Sequence, residues 1–195
     1  MSELEGKPRL GIVSKLLQRW VTAPQVTNET FQTDWVPGAS MIIGKEVFQD
    51  IGLLDEGFYT YFDDIDFCFN ARKAGWSTWY VPTSRVVHLV GRTTGVTNAS
   101  KKRQPAYVFL ARRCYLLKNH GAGYAILADA AVLAGLTLSK LRTKLTNRHD
   151  SMPITFLRDS IRHSVFFAGL SLRAVPNPAP VEDHKQPFVK KALTY

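Results

Sequence analysis

The chain has 195 residues, with 25 Lys and Arg against 16 Asp and Glu, a net charge of +9, and 45% hydrophobic side chains. That length suits one domain with an appendage, and the apolar share is ample for a sizeable core. Its two cysteines, Cys68 and Cys114, form neither a CxxC pair nor a Cys/His ligand spacing, which excludes a zinc-ribbon pattern and a disulfide framework and points to a reducing compartment.

The charge is split unevenly. Residues 1–96 carry 9 basic and 11 acidic side chains, whereas residues 97–195 carry 16 and 5. A basic half seeks phosphate. No RNA- or DNA-binding motif accompanies it, so no nucleic-acid partner is expected, and contact with a membrane surface is preferred over a merely solvated face. The first twenty residues lack the apolar core of a signal peptide. The expected location is therefore cytoplasmic, with a peripheral place at the inner face of the cell membrane.

In chain order, residues 1–32 form a poorly defined N-terminal segment with a short helix expected over Val13–Trp20. Ala39–Ile43, "ASMII", follows the turn Pro37-Gly38 and reads as a buried strand. Lys45–Ile51 reads as one or two helical turns stopped by Gly52. The next helix starts at Asp63 or Asp64 as its cap and runs to about Ala74, with Gly75 as its stop. Thr78–Val81 and Arg85–Val90 read as strands separated by Pro82. Beyond Gly95, helices are expected over Pro105–His120, ended by Gly121, then over Tyr124–Leu141 and over Pro153–Leu170. Residues 121–140 are apolar but contain Asp129 and glycines, so a membrane span, which needs about 20 nearly uninterrupted apolar residues, is not expected. The helix at 153–170 sets an apolar side against Arg158 and Arg162, which suits packing on the domain or lying on a membrane. The tail from 173 to 195 is proline-rich near its start and is expected to be flexible.

The dense stretch is Tyr61-Phe62-Asp63-Asp64-Ile65-Asp66-Phe67. One acid at a helix start needs no function, because it satisfies free amides and complements the helix dipole. Three acids exceed that need. Asp63 and Asp66, three apart, point roughly alike, and Asp64 points elsewhere. One carboxylate can therefore serve the helix while another faces a cleft as a general base. A hard-cation site built from the same oxygens is the other chemical reading.

The run Thr33–Gly95 resembles the C-terminal half of the catalytic domain of family 2 glycosyltransferases, in their bacterial rhamnosyltransferase-like branch. The resemblance rests on Trp35, Gly38-Ala39, Gly52-Leu53-Leu54-Asp55-Glu56, Asp63-Asp64-Ile65-Asp66, Arg72-Lys73-Ala74-Gly75-Trp76, Val81-Pro82 and His88, in that order. "AYVFLARRCYLLKNHG" and "FFAGL" are similar, more weakly, to the family's C-terminal extension.

This resemblance implies an α/β fold, a partial GT-A nucleotide-diphospho-sugar transferase domain over 33–96, followed by an α-helical extension over 97–172. It implies inverting transfer of a sugar from a nucleotide-diphospho-sugar donor to a hydroxyl of a glycan or lipid-linked acceptor, in bacterial surface polysaccharide or cell-wall glycan synthesis. Asp64 falls on the position of the catalytic base, and Asp63 stands where Glu is commoner. Asp66 would support the acceptor site, and Trp35 and Gly38 would border the acceptor sugar. Arg92, Thr93 and Thr94 would lie on a loop over the diphosphate. His88 falls on a metal-ligand position, for Mg²⁺ or Mn²⁺. Each also has a plain reading. A histidine at a strand end is ordinarily a hydrogen-bonded structural residue, Trp35 a core residue and Arg92 an exposed cation.

The family's donor-binding half and its Asp-x-Asp motif are not found in the 34 residues before Trp35. The resemblance implies that the cation is bound only with that half. The expectation is thus a gene fragment, a misplaced start or one piece of a split enzyme, inactive as the isolated chain. A non-catalytic truncated pseudoenzyme, a membrane-peripheral interaction protein and a phosphate-binding regulator stay open beside it.

Overall fold

The computed structural model describes residues 28–88, 103–146, 152–153 and 155–172. The expectations for Val13–Trp20, for Arg92, Thr93 and Thr94, and for the tail lie outside the described residues. Numbered in chain order, the elements are β1 (Phe31–Thr33), α1 (Lys45–Ile51), α2 (Asp63–Lys73), β2 (Thr78–Tyr80), α3 (Ala106–Leu145), α4 (Phe156–His163) and α5 (Val165–Ala168), with a 3-10 turn at Gly38–Ser40.

The sheet is small. β1 and β2 pair antiparallel, Phe31 opposite Tyr80, Gln32 opposite Trp79 and Thr33 opposite Thr78. Phe31 and Tyr80 stack across the ladder with ring centroids 5.1 Å apart. Two expected strands do not form among the described residues. Gly38–Ser40 of the predicted strand "ASMII" is a 3-10 turn. Met41 then takes extended angles, but among the described residues no strand pairs with this stretch, and Ile42 stands 97% exposed. Likewise 85–88 is irregular and exposed. An apolar run makes a strand only where a neighbour accepts its amides.

The helices follow their punctuation more closely. α1 ends at Gly52 (φ 82°), whose amide donates to the Phe48 carbonyl. α2 ends with Ala74 in the αR region and Gly75 at φ 96°. α2 buries Phe67, Cys68 and Ala71 on one side, with Phe67 against Phe48 of α1 at 5.5 Å. α3 is interrupted at Gly121 (φ 78°, ψ 174°), a conformation open essentially to glycine. α3 is thus two helical halves meeting at a kink at Gly121, where the helix stop is expected, and the second half extends to Leu145. The helix expected over 153–170 is broken instead, because Ser164 is extended (φ −68°, ψ 161°) and separates α4 from α5.

Two apolar clusters hold the fold. Phe58, Phe62 and Ala111 are buried together, with Tyr61, Ile65, Tyr107 and Tyr115 packed around them. Leu116, Leu117, Ala125 and Val165 form the other. The first half of α3 thus carries α2 on one side and α4–α5 further along.

Buried ion pairs set the register of the helical part. Asp159 of α4 is 1% exposed. It accepts from Arg103 Nε at 2.8 Å and Nη2 at 2.7 Å, and from Thr155 Oγ1 at 2.7 Å. Asp129 of α3 pairs with Arg112 and accepts the Val165 amide at 2.7 Å, tying α5 to α3. The bidentate Arg103 holds the Asp159 carboxyl at about 2, below its ordinary 3.8, against the opposing effect of burial. A depressed folded-state value stabilises the fold above the unfolded value and loses that contribution as pH falls through the folded one. The melting temperature of the wild type should therefore exceed that of Asp159→Asn above pH 3.8, with the gap closing toward pH 2. Circular dichroism melts across that range check this, and a constant gap would refute it.

Candidate functional site

The start of α2 is built by strain and packing. Tyr61 and Phe62 both have φ of 65°, a left-handed conformation costing non-glycine residues about 1–3 kcal/mol each. Aromatic contacts offset that cost. Tyr61 stacks on Tyr107 with centroids 6.1 Å apart. Phe62, 8% exposed, lies 5.4 Å from Tyr115. The sharp reversal they make sets the start of α2 against α3, with Asp66 turned toward α3 and Asp64 toward Gly38.

Phe62, not an aspartate, occupies the N-cap, and no side chain caps the helix. The expectation that Asp63 or Asp64 is the cap is thereby corrected: both already lie inside the first turn, where the dipole still favours a negative charge.

The three carboxylates have three different surroundings. Asp66 is buried, 2% exposed. It accepts from Lys118 Nζ at 2.7 Å, Asn119 Nδ2 at 2.6 Å and Asn70 Nδ2 at 3.2 Å. Lys118 also bonds Asp55 at 2.7 Å, and Asp55 accepts the Gly57 amide at 2.7 Å. Burial opposes the Lys118 charge, but the hydrogen bonds from Asp55 and Asp66 outweigh it and raise the ammonium above its usual value. The Asp55 carboxyl is lowered, chiefly by Lys118. Asp66 is thus a strut between α2 and α3.

Asp64 is half-buried. Its Oδ2 accepts the Gly38 amide at 3.0 Å, and its Oδ1 accepts the Ile65 amide at 2.9 Å. A carboxylate offers about four lone-pair sites, so Asp64 is oriented by two amides and keeps room to accept a proton. Asp63 is half-buried with its carboxyl raised, first by burial and then by the neighbouring Asp64 charge.

The segment Trp35–Gly38 therefore reaches the acid helix from the end of β1. Trp35 is half-buried, and its carbonyl accepts from Thr33 Oγ1 at 3.3 Å. At Gly38 an added Cβ would sit 3.5 Å from the Asp64 Cβ, ordinary contact that marks how closely the backbone approaches. Gly38 and Asp64 are brought together, with Asp63 beside Asp64 in the first turn of α2. His88 is exposed at the end of a described segment.

Two cavities flank this place. A groove of about 800 Å³ runs under the irregular 41–44 stretch, with Pro37, Met41, Val47, Phe67 and Trp79 in its walls. A smaller one of about 350 Å³ has Asp34, Arg72 and Trp76 in its walls, with Arg72 paired to Asp34 and Trp76 Nε1 donating to Asp50 at 2.8 Å. Neither is lined by Asp63, Asp64 or His88.

The described residues do not fit a divalent cation. No three His, Cys, Asp or Glu side chains among them come together as a metal-holding group, and Asp66 is already engaged by Lys118 and Asn119.

Lys118, Asn119 and Asp55 were not singled out as site residues from the sequence. The signal available was the excess of acid itself, since a buried carboxylate demands a cation.

Residues 14–106 match the family described as glycosyltransferase like family 2. An N-acetylglucosaminyl-diphospho-decaprenol L-rhamnosyltransferase of Mycobacterium tuberculosis is 33% identical over 82 residues, 40% of this chain and 27% of that protein. The rhamnosyltransferase WbbL of Escherichia coli is 33% identical over 55 residues, 28% of this chain and 21% of that protein. A low-salt glycan biosynthesis hexosyltransferase of Haloferax volcanii is 42% identical over 40 residues, 20% of this chain and 13% of that protein. The chain thus spans about a quarter of the length of the mycobacterial relative. No solved structure matches it significantly.

Proposed function

Residues 14–106 are a family 2 glycosyltransferase segment, and from that premise we propose that this chain carries the acceptor side and the catalytic base of an inverting sugar transfer. A family 2 segment implies a GT-A fold, with which the helices and small sheet are compatible. The observation that carries the reading is Asp64, aimed by the Gly38 amide at the strained start of α2.

The proposed donor is a nucleotide-diphospho-sugar, and the acceptor a hydroxyl of a glycan or a lipid-linked sugar. The acceptor oxygen forms a bond to the anomeric carbon as the bond from that carbon to the diphosphate oxygen breaks. The electron pair leaves with the diphosphate, and the acceptor proton passes to an oxygen of Asp64. Asp63, raised by burial, is suited to hydrogen-bond an acceptor hydroxyl. Trp35 offers an aromatic face to sugar C–H groups. A divalent cation at the diphosphate, with His88 among its ligands, needs oxygen ligands from outside the described residues, and no step is assigned to it.

The test is the stereochemistry of the product. In a transferring polypeptide that contains residues 14–106, a single displacement yields the anomer opposite to the donor's, read by NMR coupling at the anomeric carbon. Retention would require a covalent or front-face route and would remove Asp64 from the role of base.

A further inference from the structure

The second half of α3 presents a face that the catalytic reading does not use. From Gly121 to Leu145 the helix packs inward through Ala125 and Asp129, both buried. Outward it shows Tyr124, Leu127, Ala131, Ala134, Leu138, Leu141 and Leu145, all exposed. Their spacing alternates three and four residues, so they form one stripe along the helix, about 30 Å long at 1.5 Å per residue. Leu127 is 72% exposed and Leu145 76%. α5 is tied to the inward side of α3 through the Val165 amide.

The charges around this face share one sign. Among the described residues of 103–172, the acids are Asp129 and Asp159, and both are buried against arginines. Besides Arg103, paired with Asp159, and Lys118, paired with Asp55 and Asp66, the exposed charges are Lys140, Arg142 and Lys144 in the last turns of α3, and Arg158 and Arg162 on α4. Exposed positions from 122 to 138 hold no charge at all.

We propose that the stripe Tyr124–Leu145 docks this chain on an anionic lipid bilayer, the apolar side chains entering the interface and Lys140, Arg142 and Lys144 meeting the headgroups. α3 has a long apolar stretch, little of which is buried in the protein, so a large apolar surface stands free of the protein core. Spanning is disfavoured because one side of the helix is committed to the protein, with Asp129 held by Arg112 and Val165 midway along the run. A second copy on the same stripe fits less well. The apolar surface is wider than a two-position seam, since Ile126 and Val132 are exposed beside it, and parallel copies would bring Arg142 and Lys144 against their own like charges. The docking inference is independent of the role of Asp64.

Flotation of the full chain with vesicles tests it. Binding to phosphatidylglycerol-containing vesicles should exceed binding to pure phosphatidylcholine, and rising salt should weaken it. Each interfacial cation is worth about fivefold, so Lys140→Gln with Lys144→Gln should lose about 25-fold on anionic vesicles and little on neutral ones. Leu127→Glu with Leu138→Glu should abolish flotation on both. Should that pair fail to fold by circular dichroism, the milder set Leu127→Ala, Leu138→Ala and Leu141→Ala must still weaken binding by at least about tenfold. Equal affinity for neutral and anionic vesicles would overturn the proposal. So would resistance to alkaline carbonate extraction, which marks a span, or a sedimentation result in which the same leucines control self-association and leave flotation unchanged.

Discussion

Replacing Asp64 by asparagine should lower the rate of sugar transfer by about 10²–10⁴-fold, the usual worth of a positioned general base. Asparagine keeps the shape, and its carbonyl oxygen can still accept the Gly38 amide that now bonds Asp64 Oδ2. What it loses is the capacity to take the acceptor proton. The first turn of α2 is held by Phe62 and Tyr61 against Tyr115 and Tyr107, not by the Asp64 side chain, so the fold should persist. The measurement is the transfer rate at saturating donor and acceptor, with the circular dichroism spectrum recorded beside it. A loss of rate with an unchanged spectrum and an unchanged acceptor KM is the expected pattern, because a proton acceptor acts chiefly in the transition state.

Replacing Lys118 by methionine should produce the largest loss of stability of any single change at the α2–α3 junction. Lys118 bridges Asp66, with a side chain 3% exposed, and Asp55, with one 38% exposed. Removing one partner of a buried ion pair costs about 3–5 kcal/mol, because the other charge is left without compensation. Asn119 and Asn70 continue to donate to Asp66, and Lys118 is itself partly exposed, so the lower end of about 3 kcal/mol applies. For a chain of this size that corresponds to a fall in Tm of about 6–12 °C. The double variant Lys118→Met with Asp66→Asn removes both charges and should recover part of the loss. No recovery would mean that Lys118 acts through its aliphatic packing and its contact with the Phe58 ring, 5.6 Å away.

The pair of results separates two meanings of the crowded acids. Asp66 ties α2 to α3, and Asp64 is the carboxylate held by the Gly38 and Ile65 amides. The sequence shows that three carboxylates begin one helix, but not which of them turns inward. That depends on Lys118 and Asn119, more than fifty positions away, meeting Asp66 across a packed interface. A one-dimensional reading sees the excess charge and not the distant cation that answers it.

Helix ends were legible for the same reason that strands were not. Gly52, Gly75 and Gly121 all adopt positive φ, a local demand that the residue itself announces. The strand expected over Ala39–Ile43 depends on a neighbour to pair with, and its apolar side chains alone cannot supply one. β1, at Phe31–Thr33, is only three residues long and lay in a segment with no clear pattern. Ser164 breaks the last helix where its apolar spacing runs on unbroken, because its extended backbone lets the Val165 amide reach Asp129. Gly38 and Asp64 are 26 positions apart, yet the family-like motif had named both, and the structure joins them by one hydrogen bond.

Asp63 and Asp64 are neighbours, and the assignment of the base to the second of them is the centre of the account. Asp63 has the raised carboxyl, which would suit a base as well, whereas Asp64 has the two orienting amides. The direct test is to measure transfer by Asp63→Asn and Asp64→Asn side by side, each verified as folded and assayed at the same pH. The account predicts a loss of about 10²–10⁴-fold for Asp64→Asn and no more than about tenfold for Asp63→Asn, the worth of one hydrogen bond to the acceptor. The reverse order, with Asp63→Asn nearly inactive and Asp64→Asn near normal, would contradict it.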